Sequence, residues 1–335
     1  MAHEVALDRV AAKAATAAFV PPRWLRGPHA QTLYAFTRLK QPVPAWARER
    51  LELPDGDFVD LCHFGGGDGP RVCVFHGLEG RVQSHYIGGL IAALIATGHR
   101  VSFMHFRGCS GEPNRLPRAY HSGDTGDIGY LIDTLVAREP GTPLGAVGFS
   151  LGGNALLKYL GERGAAAPLQ AAVAVSVPFD LDACARRIDQ GFSRLYQAHL
   201  VRQMKASTRA RAERLGGLGI YLSGLDRIRS FREFDHRVTA QLHGFDSGAD
   251  YYARASSGPW LGSIVRPTRI IHARDDPFVG PEPVPGSGDV SRSVELDISA
   301  HGGHVGFIAA GRRGRPYRWL DGRIAGWLAA QLRHG

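Results

Sequence analysis

The feature that most constrains this chain is a repeated alternation of short apolar segments with segments of helical spacing. The apolar segments, typical of buried strands, occupy residues 71–75, 100–106, 144–149, 171–175, 268–273 and 293–298. Segments in which apolar residues recur at helical spacing occupy residues 84–97, 124–138, 151–161 and about 317–332. Because parallel strands need crossover helices, this order predicts an α/β fold with a mostly parallel central sheet and helices on both faces.

Two regions depart from that alternation. Near the start, Arg48–Leu53 and Phe58–His63 alternate apolar and polar residues around the turn Pro54–Asp57, which predicts a hairpin. Residues 178–257 contain helices and loops without a convincing strand, and between Val201 and Arg237 they carry eight Arg and one Lys against four acids. We interpret this interval as a basic helical cap inserted over the open end of the sheet.

The predicted organisation is therefore one core domain with two additions. Residues 45–177 and 258–335 form the core, residues 178–257 the cap, and residues 1–44 an N-terminal arm packing on the core. Within that arm, residues 1–20 are rich in alanine and favour a short helix or a frayed end.

Gly148-Phe149-Ser150-Leu151-Gly152 is a G-x-S-x-G sequence placed between a predicted strand and a predicted helix. In that context a serine occupies a sharp strand-to-helix turn, where glycines avoid steric clash and the hydroxyl projects from the sheet edge. The N-terminus of the following helix offers unpaired N–H groups and a partial positive charge to a developing oxyanion. Ser150 is therefore the candidate nucleophile, whereas Ser110 lies in a glycine-rich loop without such a turn.

A serine nucleophile needs a base, and the base needs an acid that orients it. In this fold they follow later strands in the order serine, acid, histidine. Asp275 and Asp276 follow the strand at 268–273, and we choose Asp276 because it leads into Pro277 and Phe278. His301 and His304 follow the strand at 293–298, and two preceding glycines favour His304. Asp275 and His301 stay open as alternatives.

A site for acyl transfer also needs donors for the oxyanion. His76-Gly77-Leu78-Glu79-Gly80 follows the first strand of the alternation. A turn there would direct the Leu78 N–H toward the substrate oxygen, beside the N–H of Leu151.

Composition excludes several other function classes. The net charge is +9, but only four of the 40 basic residues are Lys. An arginine excess of this kind is typical of GC-rich coding, since selection for phosphate contacts would not avoid Lys. We therefore expect no nucleic-acid partner, although the basic cap allows peripheral contact with an anionic lipid. Oligomeric state cannot be predicted from the sequence.

Cofactors and membrane spans are not predicted. No G-x-G-x-x-G follows the first strand, and the histidines lack ligand spacing, so we expect neither a nucleotide cofactor nor a metal.

Ile87–Thr97, the best apolar run, has 11 residues, whereas a spanning helix needs ~20. Glu4 and Asp8 argue against a secretory signal. The four cysteines form no C-x-x-C pair, which favours a reducing cytoplasm; among them Cys109 is interpreted as structural.

Nine sequence blocks resemble the YheT-like branch of the α/β-hydrolases, also called AB hydrolase type 4. They are PPRWLRGPHAQTL (21–33), LELPDGDFVDL (51–61), FHGLEG (75–80), MHFRGCSGEPNR (104–115), YHSGDTGDI (120–128), VGFSLGGN (147–154), REFDHRVTAQLHGF (232–245), IIHARDDPF (270–278) and HGGHVGF (301–307). The chain departs from the common family sequence at residues 81–84, after FHGLEG, which affects the rim of the expected pocket.

The resemblance implies an α/β-hydrolase core with a Ser150–Asp276–His304 triad and hydrolysis of carboxylic esters, while leaving the substrate open among small-molecule and lipid esters. We therefore expect a serine esterase without a cofactor. Two alternatives stay open: an acyltransferase that uses the same triad, and a catalytically silent binding protein on the same scaffold.

Overall fold

The computed structural model describes residues 18–311 and 315–332. Its strands are β1 (Ala47–Glu52), β2 (Phe58–Phe64), β3 (Arg71–Phe75), β4 (Arg100–His105), β5 (Leu144–Phe149), β6 (Ala171–Val175), β7 (Thr268–Ala273), β8 (Val294–Ser299), β9 (Ile308–Ala310) and β10 (Pro316–Arg318). The first eight form one sheet in the order β1-β2-β4-β3-β5-β6-β7-β8. Only the pairs β1–β2 and β2–β4 are antiparallel in it, so the predicted mostly parallel sheet is confirmed.

Helices cover both faces of this sheet. They are α1 (Pro28–Arg38), α2 (Ile87–Ala96), α3 (Gly126–Arg138), α4 (Leu151–Arg163), α5 (Leu181–Ile188), α6 (Ser193–Leu215), α7 (Phe231–Phe234), α8 (Ala240–His243), α9 (Gly248–Ala255) and α10 (Trp319–Gln331). A π-helical turn, Asp235–Thr239, joins α7 to α8. No described helix is both long enough and apolar enough to cross a membrane.

The strand side chains alternate between two hydrophobic cores. Val72 and Val74 of β3 pack with α2 and α10, whereas Cys73 and Phe75 pack with α3 and α4 on the opposite face. This period of two is the one that a strand buried on both faces requires. The sheet is thus packed against hydrophobic side chains on both faces.

Between β6 and β7 the chain forms α5 to α9 and no strand, as the sequence of residues 178–257 predicts. The prediction of a helix from residue 317 is wrong at its start, because Pro316–Arg318 pairs with Ile308–Ala310 as a short antiparallel ribbon and α10 begins at Trp319. The expected helix or frayed end over residues 1–20 lies, up to residue 17, outside the described residues.

Candidate active site

Ser150 lies in a strained turn between β5 and α4. Its backbone angles are φ 50° and ψ −119°, a region that residues other than glycine seldom adopt. A Cβ on Gly148 would lie 2.5 Å from the carbonyl oxygen of Gly152, and a Cβ on Gly152 would lie 2.5 Å from that of His76. Only glycine fits at these two positions, so the G-x-S-x-G sequence is what allows the turn to close.

Three of the predicted residues form one hydrogen-bonded chain. The Nε2 atom of His304 lies 3.1 Å from Ser150 Oγ, and its Nδ1 atom lies 2.8 Å from Asp276 Oδ2. With the proton on Nδ1, the imidazole donates to the carboxylate and presents Nε2 as an acceptor to the hydroxyl. This is the order of groups that activates a serine.

Asp276 is held as a carboxylate. Its Oδ1 atom accepts the backbone N–H groups of Phe278, at 2.8 Å, and Val279, at 3.3 Å. Burial by itself would raise the pKa of this carboxyl, but the neighbouring His304 and these hydrogen bonds bring the pKa below its ordinary value. The Phe278 ring also stacks on the His304 imidazole at 4.0 Å, which fixes the plane of the base.

The loop that carries His304 is anchored by helix α1. Thr32 Oγ1, on α1, accepts the His304 N–H at 2.9 Å. Gly303 precedes the base at φ 60°, and a Cβ there would lie 2.5 Å from the carbonyl oxygen of Pro28. On the other side, Ser176 Oγ accepts the Val305 N–H at 3.0 Å. Sequence reasoning missed these supports, although PPRWLRGPHAQTL was one of the blocks that carried the resemblance.

The alternative acid and base contact each other instead of Ser150. His301 Nδ1 lies 3.3 Å from Asp275 Oδ2, and Asp275 Oδ1 accepts the Gly303 N–H at 3.0 Å. Burial raises the pKa of the Asp275 carboxyl. The Asp275–His301 pair therefore braces the loop, while Asp276 contacts His304 and His304 contacts the hydroxyl.

In the loop after β3, the backbone N–H groups on either side of Leu78 are hydrogen-bonded. The Gly77 N–H donates to Tyr86 Oη at 2.9 Å, and the Glu79 N–H donates to Tyr120 Oη at 2.7 Å. Between them, the Leu78 N–H finds no acceptor among the described residues. A Cβ on Gly77 would lie 3.3 Å from the Ser150 Cβ, so this loop touches the nucleophile.

Leu151 supplies a second free donor. It is the first residue of α4, and its N–H likewise has no acceptor in residues 18–311 and 315–332. The first N–H groups of a helix have no partner within the helix and carry its partial positive charge.

His76 is a structural histidine that holds the donor loop. Its Nε2 atom accepts the Phe106 N–H at 3.0 Å, and its Nδ1 atom lies 2.6 Å from the Gly77 carbonyl oxygen. Complete burial lowers the pKa of His76 to about 3, so the ring is neutral and can make both contacts.

The remaining polar candidates do not join the site. Burial raises the pKa of the Cys109 thiol well above its ordinary value, which makes it unreactive. Ser110 Oγ contacts the Glu112 N–H in its own loop. The described part of the chain contains no group of three or more His, Cys, Asp or Glu residues that could hold a metal ion.

The insertion between β6 and β7 contacts the loops of the site. From α6, Tyr196 lies against the Phe278 ring, with centroids 4.9 Å apart, and Ser207 Oγ donates to Glu79 Oε2 at 2.6 Å. Ser193 Oγ donates to the Pro277 carbonyl oxygen at 2.7 Å. One helix therefore touches both the acid loop and the donor loop.

Comparison with known proteins identifies the family. Residues 70–310 match the model of the α/β-hydrolase fold. The chain belongs to the α/β-hydrolases. It is 44% identical, over 95% of its length and 94% of the other protein, to YheT of Escherichia coli, a candidate esterase. This α/β-hydrolase is thus YheT-like, as the sequence blocks indicated.

More distant proteins share the same fold. Mouse phospholipase ABHD3 is 28% identical over 96% of this chain and 80% of its own length. Among solved structures, the Pyrococcus furiosus esterase Pf2001 superposes with a TM-score of 0.55 at 16% identity, covering 94% of this chain and all of that one. The latter similarity concerns the fold alone.

Proposed function

We propose that this YheT-like α/β-hydrolase cleaves carboxylic esters through an acyl-enzyme on Ser150. The observation that carries the proposal is the chain from Ser150 Oγ through the His304 imidazole to the Asp276 carboxylate, with distances of 3.1 and 2.8 Å. Two backbone N–H groups without an acceptor among the described residues support it: that of Leu151, which follows Ser150, and that of Leu78, in the loop that contacts Ser150. A nucleophile, a base, an orienting acid and an oxyanion site are the groups that acyl transfer requires.

In the first half-reaction, His304 Nε2 takes the proton of Ser150 as Oγ attacks the acyl carbonyl carbon. The N–H groups of Leu78 and Leu151 bind the oxygen that becomes negative. His304 then gives the proton to the leaving alcohol, and the acyl group stays on Ser150. Asp276 stabilises the imidazolium form throughout and stays ionised.

In the second half-reaction, water replaces the alcohol. The water oxygen attacks the acyl carbon while His304 takes one proton from that water. The same two N–H groups bind the oxyanion. Collapse of this intermediate releases the carboxylic acid and returns the proton to Ser150. Because the two halves mirror each other, one set of residues performs both.

A lipid ester is the proposed substrate class. Its support is the similarity, over nearly the whole chain, to a protein named as a phospholipase. The N–H groups of Leu78 and Leu151 would bind only the carbonyl oxygen of the reacting ester. They are therefore compatible with many acyl and alcohol groups.

Ester hydrolysis by purified protein tests the proposal. We expect Ser150→Ala to lower kcat for a p-nitrophenyl ester by a factor of about 10³ or more. Ser110→Ala, a matched change in a loop outside the site, should retain wild-type activity. Equal activity of wild type and Ser150→Ala would refute the proposed nucleophile.

A further inference from the structure

Helix α1 turns two of its large apolar side chains outward. Leu33 and Phe36 are 40% and 59% exposed, whereas Gln31 and Ala35, on the opposite side, are fully buried. The Gln31 amide donates to the carbonyl oxygens of Leu25 and Ile308, so a polar residue is fixed in the interior beside Ala35. A surface helix ordinarily has the reverse arrangement. The Phe36 ring meets that of His85 edge-on at 5.4 Å, yet Phe36 stays more than half exposed. Packing among residues 18–311 and 315–332 therefore does not explain the outward face.

Neighbouring residues extend this face into one surface. Trp24 is 61% exposed and contacts the Tyr34 ring edge-on. Phe192 and Leu195, at the start of α6, are 47% and 61% exposed. The His29 ring on α1 lies 4.6 Å from that of Phe192, so the two elements adjoin. We call this surface the apolar rim; its members are Trp24, Leu33, Phe36, Phe192 and Leu195.

The two chain segments that carry the apolar rim are rich in exposed basic residues. Residues 18–48 contain no Asp or Glu. The exposed basic residues of that stretch and of the first half of α6 are Arg23, Arg26, Arg38, Lys40, Arg48, Arg194 and Arg202. Of these, Arg48 pairs with Asp60 and Glu112, whereas the other six form no ion pair with a described residue. Exposed Trp, Phe and Leu side chains among cations are typical of protein surfaces that insert into the headgroup region of anionic membranes.

The apolar rim borders the site. Tyr196, next to Leu195, contacts the Phe278 ring, which stacks on His304. On the same α1 helix, Thr32 accepts the His304 N–H. A lipid or protein surface that contacts the apolar rim therefore lies close to His304.

We propose that the apolar rim docks this protein on an anionic lipid surface, from which its ester substrate enters the site. The substrate part rests on the proposed function, whereas the docking part stands on exposure and charge. A second copy of the chain is a poorer occupant, because it would bring cationic surface against cationic surface. An anionic bilayer complements both the apolar side chains and the cations.

Vesicle flotation of the full chain tests this proposal. We compare vesicles of phosphatidylcholine alone with vesicles that also contain phosphatidylglycerol, at low and high salt. Wild type should float with the anionic vesicles, and high salt should weaken its binding. Leu33→Ser combined with Phe36→Ser should lower the partition coefficient about tenfold or more. Tyr130→Ser combined with Val136→Ser, a matched change on α3, should bind as wild type does.

Several results would overturn the proposal. They are wild type that stays unbound, equal binding to both vesicle types, and unchanged binding of the Leu33/Phe36 variant. A dimer in sedimentation that this variant converts to monomer would assign the rim to a second copy. Thermal unfolding shows whether each variant is folded. Ser150→Ala should float as wild type does, so failure of the docking proposal and failure of the proposed catalysis are distinguishable.

Discussion

Replacing Asp276 by asparagine tests the choice of the acid and, with it, the geometry of the base. The amide oxygen can still accept the N–H groups of Phe278 and Val279, so the loop should keep its conformation. The amide nitrogen would then face His304 Nδ1 and donate to it. That contact places the imidazole proton on Nε2, where it blocks acceptance of the Ser150 proton.

The expected loss follows from that tautomer. An asparagine at this position of a Ser-His-Asp triad lowers turnover by about 10³ to 10⁴, which corresponds to about 4 to 5 kcal/mol of activation free energy. The assay is kcat/KM for a soluble p-nitrophenyl ester. Asp275→Asn is the matched control, since its amide oxygen can still accept the Gly303 N–H, and we expect it to stay within tenfold of wild type.

The opposite pattern would refute the reasoning. If Asp275→Asn loses a factor of about 10³ while Asp276→Asn stays within tenfold, the acid is Asp275 and the stacked imidazole of His304 is not the base. Thermal unfolding of both variants excludes a loss of fold as the cause.

Three further changes test the supports of the site and the insertion. Thr32→Val should lower kcat about tenfold by removing the acceptor of the His304 N–H, whereas Thr32→Ser should restore it; equal rates would show that the contact is dispensable. Gly152→Ala should abolish soluble folded protein, because its Cβ would lie 2.5 Å from a backbone oxygen, while Gly66→Ala, which meets nothing within 4 Å, should leave Tm unchanged. Burial raises the pKa of Asp235 from 3.8 to about 6, so its contribution to stability is full below pH 4 and lost as pH rises through 6. The free energy of unfolding of Asp235→Asn minus that of wild type should therefore rise by roughly 2 to 3 kcal/mol from pH 4 to pH 7. A difference that does not change with pH would contradict this prediction.

The central strands could be predicted from sequence because their signals are local. Arg71–Phe75, Leu144–Phe149 and Ala171–Val175 have the predicted bounds, since each is an apolar run closed by turn residues. By contrast, Pro316–Arg318 is a strand only because it pairs with Ile308–Ala310, and no local pattern contains that information. The predicted helix therefore began at about residue 317, two residues before the observed start at Trp319.

The chemistry of the site was more predictable than its supports. Ser150 follows from its sequence context, and the fold class places an acid and a histidine after later strands. The choice between Asp275 and Asp276, and between His301 and His304, depends on the direction in which each loop turns. The positions of glycines indicate that direction only in part. The role of Thr32 depends on contact between segments 272 residues apart in the chain. Likewise, the outward direction of Leu33 and Phe36 depends on the tertiary packing that buries Gln31 and Ala35.

Identifying the residue that carries the covalent adduct is the most direct test of this account. A fluorophosphonate reacts with a serine that a neighbouring base activates, and peptide mass spectrometry locates the modification. We predict one adduct per chain, on Ser150, with loss of ester hydrolysis in proportion to labelling and no adduct on folded Ser150→Ala. An adduct on another residue, or full hydrolysis by protein labelled at Ser150, would contradict the account.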